Sequence, residues 1–289
     1  MMSRVVYYLL LYPLSLLPRF IRYALSDFFR VLVAGVFGYR KRVVQSNIRM
    51  AFPDLPESKI RFIANRFYVN LFDIIVESIH HFSANPQKIS GCLHQVNPEI
   101  LDDADVSGKQ IIMCGGHYCN WELWGFLSPL KISKQVTGIY QPLRDRFLDG
   151  KMRVSRERTG LKMLPMREVG IFMKNNHNKD GVLVFGFDQS PSNPNRAAWI
   201  QFMGIETAAM EGPEFFAKKF NLPVAYGHLK RVSRGKYEIR YEWVTKSPNV
   251  WEPSAITRRL YQILEEDIRT VPEWWLWSHR RWKHKRSGN

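Results

Sequence analysis

Cysteine is scarce in this chain, acidic residues are outnumbered, and no hydrophobic run is long. Each shortage rules something out. Three cysteines, Cys92, Cys114 and Cys119, are few and odd in number. They form no disulfide framework, and a reducing compartment suits them. Cys114, His117 and Cys119 crowd together, but no second ligand cluster follows at zinc spacing. No metal or cofactor is expected, and the cysteines read as small apolar packing. The run from Val5 to Leu17 is interrupted by Pro13 and is shorter than the roughly 20 residues of a spanning helix. Only 26 acidic residues face 42 lysines and arginines, for a net charge of +16, so the partners are anionic. Nucleic acid, an anionic membrane surface, a phosphorylated lipid and an acidic carrier protein all qualify, and charge alone does not choose among them. No internal repeat or low-complexity linker divides the chain.

What the chain does have is an organising stretch, Ile111 to Phe126. A short apolar run ends in Gly115-Gly116, His117 follows at once, and Glu122 comes five residues later. This reads as a strand, a tight turn and a helix start. Residues five apart do not share a helix face. His117 and Glu122 therefore meet only if His117 lies in the turn and Glu122 about one turn into the helix. Gly115 and Gly116 let the backbone turn without a Cβ clash. Asn120 suits the helix N-cap, and the free N–H groups from Tyr118 to Asn120 suit a developing oxyanion. A neutral imidazole can take a proton from a hydroxyl while a carboxylate holds its other nitrogen.

His117-(four residues)-Glu122, set in Gly-His-Tyr-Cys-Asn-Trp-Glu, resembles the HxxxxD/E motif of glycerolipid-type acyltransferases. The flanking Asn-Trp-Glu narrows the resemblance to the late acyltransferases of lipid A biosynthesis, the lauroyl/myristoyl acyltransferase family. One departure stands in the turn: Cys119 occupies a position where many members have glycine. The resemblance continues in order through Asn47 to Leu55, Glu77, Arg156-Glu157-Arg158, Asp188-Gln189, Phe202-Met203-Gly204 and the tail Trp277-Ser278-His279-Arg280-Arg281-Trp282.

The N-terminus is read as a membrane anchor, residues 1–38, ahead of an acyltransferase domain, residues 39–289. Arg19, Arg22, Ser26 and Arg30 recur at spacings of three or four and form one polar stripe of a helix that is apolar elsewhere. Such a helix suits a membrane surface, a short span or a buried bundle. A cleaved signal peptide is the rival reading, without a convincing small-residue cleavage site. Arg40-Lys41-Arg42 then stays on the cytoplasmic side. Residues 43–82 read as two helices broken at Phe52-Pro53-Asp54, with Asp54 or Ser58 as the second cap.

Strands are expected at 135–140, 181–187, 223–229 and 237–244, the last two as a hairpin. Helices are expected at about 146–158, 168–177, 213–220 and 255–269. The alternation predicts an α/β fold, a mixed central sheet flanked by helices. Arg153, Arg156 and Arg158 are either a solvated basic face or, for Arg156 and Arg158, contacts to an anionic substrate. Asp188 and Gln189 either line a crevice at a strand end or form an Asx turn. The aromatic and basic tail suits lipid headgroups or single-stranded nucleic acid, and the resemblance favours lipid.

The resemblance implies acyl transfer from acyl-carrier protein to a hydroxyl of a lipid A precursor, at the cytoplasmic (inner) membrane. His117 and Glu122 are the catalytic pair. Asn120, Arg156, Arg158, Asp188 and Gln189 are the substrate-binding candidates. An aminolipid or glycerophospholipid acceptor keeps the same chemistry. A non-catalytic, basic membrane and nucleic-acid binder leaves the His–Glu constellation without a role, so no nucleic-acid partner is expected.

Overall fold

The computed structural model describes residues 2–286. Two helical runs come first, residues 2–16 (α1) and 19–36 (α2), broken at Leu17-Pro18 where Leu17 turns extended. Next come Lys41–Ala51 (α3) and Glu57–His80 (α4). The core then alternates: Leu93–Gln95 (β1), Gln110–Gly115 (β2), Trp121–Leu127 (α5), Val136–Tyr140 (β3), Arg146–Glu157 (α6), Lys162–Pro165 (β4), Val169–Asn176 (α7) and Gly181–Gly186 (β5). It closes with Ala198–Phe202 (β6), Ile205–Ala209 (β7), Gly212–Phe220 (α8), Val224–Ser233 (β8), Lys236–Thr245 (β9) and Ala255–Thr270 (α9).

Seven strands form one sheet in the order β1-β9-β8-β2-β5-β3-β4. All neighbours pair parallel except the β8–β9 hairpin, so the sheet is mixed, as the alternation predicted. The chain steps from β2 over β5 to β3, then returns from β4 over β3 to β5. Parallel crossovers are right-handed, so steps in opposite directions put α5 and α6 on one face and α7 and α8 on the other. β3 and β5 pair only as far as Gly138 opposite Val184 and then part. That opens a crevice at the carboxyl ends of the strands, where ligands of such sheets bind.

Three strands escape a periodicity reading. β4 is too short to alternate. β6 and β7 form a separate hairpin turned by Met203 and Gly204, both at positive φ. Pro56, not Asp54 or Ser58, stands at the N-cap of α4, with no side-chain cap.

The polar stripe of α2 faces inward. Ser26 is buried and donates to Asp73 at 2.7 Å. Arg22 and Arg30 bury guanidinium nitrogens against the protein. Phe20 and Phe28 instead stand 75% and 59% exposed. Arg231 and Arg234 close on Asp73 from the β8–β9 side, and Arg234 also holds Asp27. Residues 19–36 are therefore packed on the rest of the chain, with Phe29 and Val33 against the core and Phe20, Phe28, Val31 and Val36 exposed. Among the described residues, no helix is long and apolar enough to cross a membrane.

The tail departs from its expected role. Trp275, Trp277 and Arg281 are buried, with Arg281 donating to the Ala208 carbonyl and the Tyr261 hydroxyl. Its aromatic rings complete the core instead of meeting lipid or nucleic acid. Burying them removes large apolar surfaces from water, which is where aromatic side chains contribute most.

Candidate active site

β2 delivers His117 to the carboxyl edge of the sheet. Gly115 and Gly116 are needed for close approach. A Cβ on Gly115 would collide with the Trp124 ring, and one on Gly116 would sit 2.6 Å from Leu264 Cδ1. The left-handed backbone falls instead on Cys119, at φ 55°. The turn there is the glycine-favouring kind that the resemblance led one to expect, made by a residue that carries a side chain. Asn120 is the N-cap of α5, accepting from the Leu123 N–H at 2.9 Å.

Asp188 holds the imidazole. His117 Nδ1 donates to Asp188 Oδ1 at 2.6 Å, and the His117 backbone N–H donates to Oδ2 at 3.0 Å. The Trp275 indole N–H donates to the same Oδ2 at 2.8 Å. With Nδ1 protonated, Nε2 keeps its lone pair, and the Gln189 amide lies 3.2 Å from it. Gly186 makes room for the ring, since a Cβ there would meet His117 Cε1 at 3.0 Å. Burial alone would pull the imidazole down. The Asp188 charge and hydrogen bond, with the Glu122 charge behind them, overrule burial and raise it above its ordinary value. Burial pushes the Asp188 carboxyl up, and the His117 charge with three donated hydrogen bonds brings it below the ordinary carboxylate value.

The five-residue spacing pointed to Glu122 as the holder of the second imidazole nitrogen, and in the structure Asp188 holds it. Glu122 instead takes a hydrogen bond from Arg156 Nη2 at 2.5 Å and reaches His117 through its charge. Asn120, expected at the substrate, is buried away from the cavity wall and donates to Glu77. Arg158 donates to the His81 carbonyl at the end of α4 and does not border the cavity. Of the expected oxyanion donors from Tyr118 to Asn120, the Cys119 N–H is engaged elsewhere, donating to the Trp274 carbonyl at 2.8 Å.

His117, Glu122, Arg156 and Gln189 all border one cavity of about 720 Å³ in the crevice between β3 and β5. The rest of its wall is mostly apolar, with Met152, Leu161, Met163, Val184, Phe185 and Phe216 drawn from both faces of the sheet. A few polar groups at one part of a greasy cleft fix the orientation of an apolar ligand.

A family model described as bacterial lipid A biosynthesis acyltransferase matches residues 2–284. This chain belongs to that family. The lipid A biosynthesis lauroyltransferase of Escherichia coli (strain K12) is 20% identical over 251 residues, which cover 86% of this chain and 81% of the relative. A lipid A biosynthesis acyltransferase of Haemophilus influenzae is 21% identical over 281 residues, covering 94% and 84%. In this lipid A acyltransferase family member, the part of the site that sequence reasoning missed is Trp275. No spacing signal links it to Asp188, 87 residues earlier. The tail comes beside the turn through the isolated bridge between Tyr118 and Trp275 and through the backbone hydrogen bonds from Cys119 to Trp274 and from Leu276 to His117.

Proposed function

We propose that this protein moves a fatty acyl group from an acyl-carrier-protein thioester to a hydroxyl of a lipid A precursor, at the cytoplasmic face of the inner membrane. The observation that carries the reading is the His117 imidazole. Its Nδ1 is held by buried Asp188, and its Nε2, 3.2 Å from the Gln189 amide, presents its lone pair at the wall of a mostly apolar cavity.

In this reading Nε2 accepts the hydroxyl proton of the acceptor, displacing the Gln189 amide. Asp188 and Glu122 stabilise the imidazolium that forms. The alkoxide oxygen attacks the thioester carbonyl carbon. Negative charge develops on the carbonyl oxygen, and the Arg156 guanidinium is the cavity-wall cation suited to meet it. The intermediate collapses, the carbon–sulfur bond breaks, and the departing thiolate takes the proton back from His117. The apolar wall holds the acyl chain.

The inverted polarity of α2 supports a membrane location. Arg22 and Arg30 bury guanidinium nitrogens against the protein, while Phe20, Phe28, Val31 and Val36 stand exposed. A surface of that kind lies in a bilayer interface without spanning it.

The test is incubation of the purified protein with a tetra-acylated lipid A precursor and a panel of acyl-carrier thioesters. An aminolipid and a glycerophospholipid serve as alternative acceptors. Transfer to the precursor is expected, falling roughly 10²- to 10⁴-fold in His117→Ala. Transfer only to another acceptor, or undiminished transfer in the variant, would sink the reading.

A further inference from the structure

The reaction proposed above needs an acidic protein to deliver a thioester, and the present inference rests on that reading. We propose that this protein docks on the surface made by the segment before α6, the outer side of α6 and the turn joining β4 to α7.

Leu143, Arg153 and Met166 there border the cavity and also reach solvent. Leu143 is 42% exposed and Met166 50% exposed, so the rim of the cavity presents two apolar side chains outward. Arg144, Arg146 and Arg167 stand exposed beside them in the chain. From Leu143 to Lys174 the sequence carries nine basic and four acidic residues. Arg153 and Arg167 meet Glu157 and Glu168 only at 3.4 Å on the exposed surface, so those pairs neutralise little of the field.

A small apolar centre inside a charged rim is the anatomy of a protein interface. A rim of one sign sets the encounter rate and the partner's charge. The place suits the task, because an arm carrying a thioester from this surface enters the cavity directly. The α1 and α2 surface is different in kind. There Leu9 and Phe20 are more than 70% exposed, and Arg22 and Arg30 bury guanidinium nitrogens against the protein. Lipid suits that face, and an acidic protein suits this one.

The test is the double charge reversal Arg144→Glu/Arg167→Glu, which leaves His117, Asp188, Glu122 and Arg156 in place. Steady-state transfer is compared from an acyl-carrier thioester and from the same acyl group on uncharged pantetheine. KM for the carrier thioester is expected to rise roughly tenfold, as two lost rim charges would give, with the pantetheine rate within about twofold. Equal effects on both donors, or none, overturn the proposal. So does an unchanged carrier KM with lost flotation on anionic vesicles, which would make the patch a membrane contact. Direct binding of the carrier protein, measured across a salt series, separates the two readings. If no thioester is a donor, the reaction falls. Docking stands only if carrier binding is salt-sensitive and weakened in the double variant, and falls otherwise.

Discussion

His117 gives its Nδ1 hydrogen to Asp188, 71 residues further on, while Glu122, five residues away, is held by Arg156. The imidazole therefore has two acidic supporters with separate duties. Asp188 fixes the ring and its tautomer through a hydrogen bond, and Glu122 acts through charge.

Asp188→Asn tests the first duty. The amide keeps the shape but can offer its N–H to Nδ1, which would leave the proton on the nitrogen that must act as base. The same substitution logic costs a serine protease about 10⁴ in rate. A loss of about 10³- to 10⁴-fold in kcat is expected here, with the fold retained by circular dichroism. The pH profile carries the second readout. In the proposed mechanism His117 works when neutral, and its pKa is raised, so kcat/KM should climb with pH through an inflection above the ordinary 6.5. Asp188→Asn should move that inflection down. An inflection that stays put would remove Asp188 from the role.

Glu122 and Arg156 are expected to act as a unit. Their side chains are 25% and 19% exposed, so solvent screens the pair and its coupling should be about 1 kcal/mol. Glu122→Ala and Arg156→Ala should each lose most transfer activity. The double variant should lose less than the sum of the two, because neither partner is then left unpaired. Strictly additive losses in kcat/KM would show two independent functions.

Glu77 joins α2 to the turn that carries His117. Its carboxylate accepts from Tyr23 of α2 at 2.6 Å, from Tyr237 of β9 at 2.9 Å, and from Asn120, the cap of α5. Burial pushes this carboxyl up, against the two tyrosine hydrogen bonds. Glu77→Ala leaves buried donors unsatisfied at about 1–3 kcal/mol each. It should lower Tm by several degrees and reduce transfer. Tyr23→Phe cuts only the link to α2 and should cost about 1 kcal/mol. A Tm unchanged in Glu77→Ala would refute the link.

Much of this architecture could be read before the coordinates. Ile111 to Gly115 are apolar and short, and Asn120 precedes a helical run, so strand, turn and cap all carry local signals. The partner of His117 carries none. Nothing in Asp188-Gln189 distinguishes an Asx turn from an orienting acid, because their approach to His117 is set by the pairing of β2 with β5. The proximity of Glu122 in sequence was misleading for the same reason: its place on α5 aims it at Arg156 of α6. The tail misled in another way. Tryptophan and arginine together suit a lipid surface, but Trp275 and Trp277 are what close the core, and composition does not say which side of a surface they occupy.

A second histidine is clamped between acids outside the cavity that His117 borders. His228 Nδ1 lies 3.0 Å from Asp267, and Nε2 lies 3.4 Å from Glu242. Asp267 also accepts from the Tyr226 hydroxyl at 3.0 Å, and its backbone carbonyl accepts from Tyr118 at 2.9 Å. The cluster ties β8, β9 and α9 to the residue after His117. Burial would lower the His228 pKa, but Asp267 and Glu242 together raise it. The folded value then lies above the unfolded value of about 6.5. The imidazolium's contribution to stability is therefore complete below that unfolded value and is lost as pH rises through the folded one. His228→Gln should destabilise the protein most at acidic pH, and the gap from wild type should narrow toward alkaline pH. His117 titrates with the same sign in both proteins, so it cancels in the difference. Urea unfolding of the two proteins across pH 5.5 to 9 measures the gap. A constant gap would mean that His228 is neutral throughout and contributes packing alone.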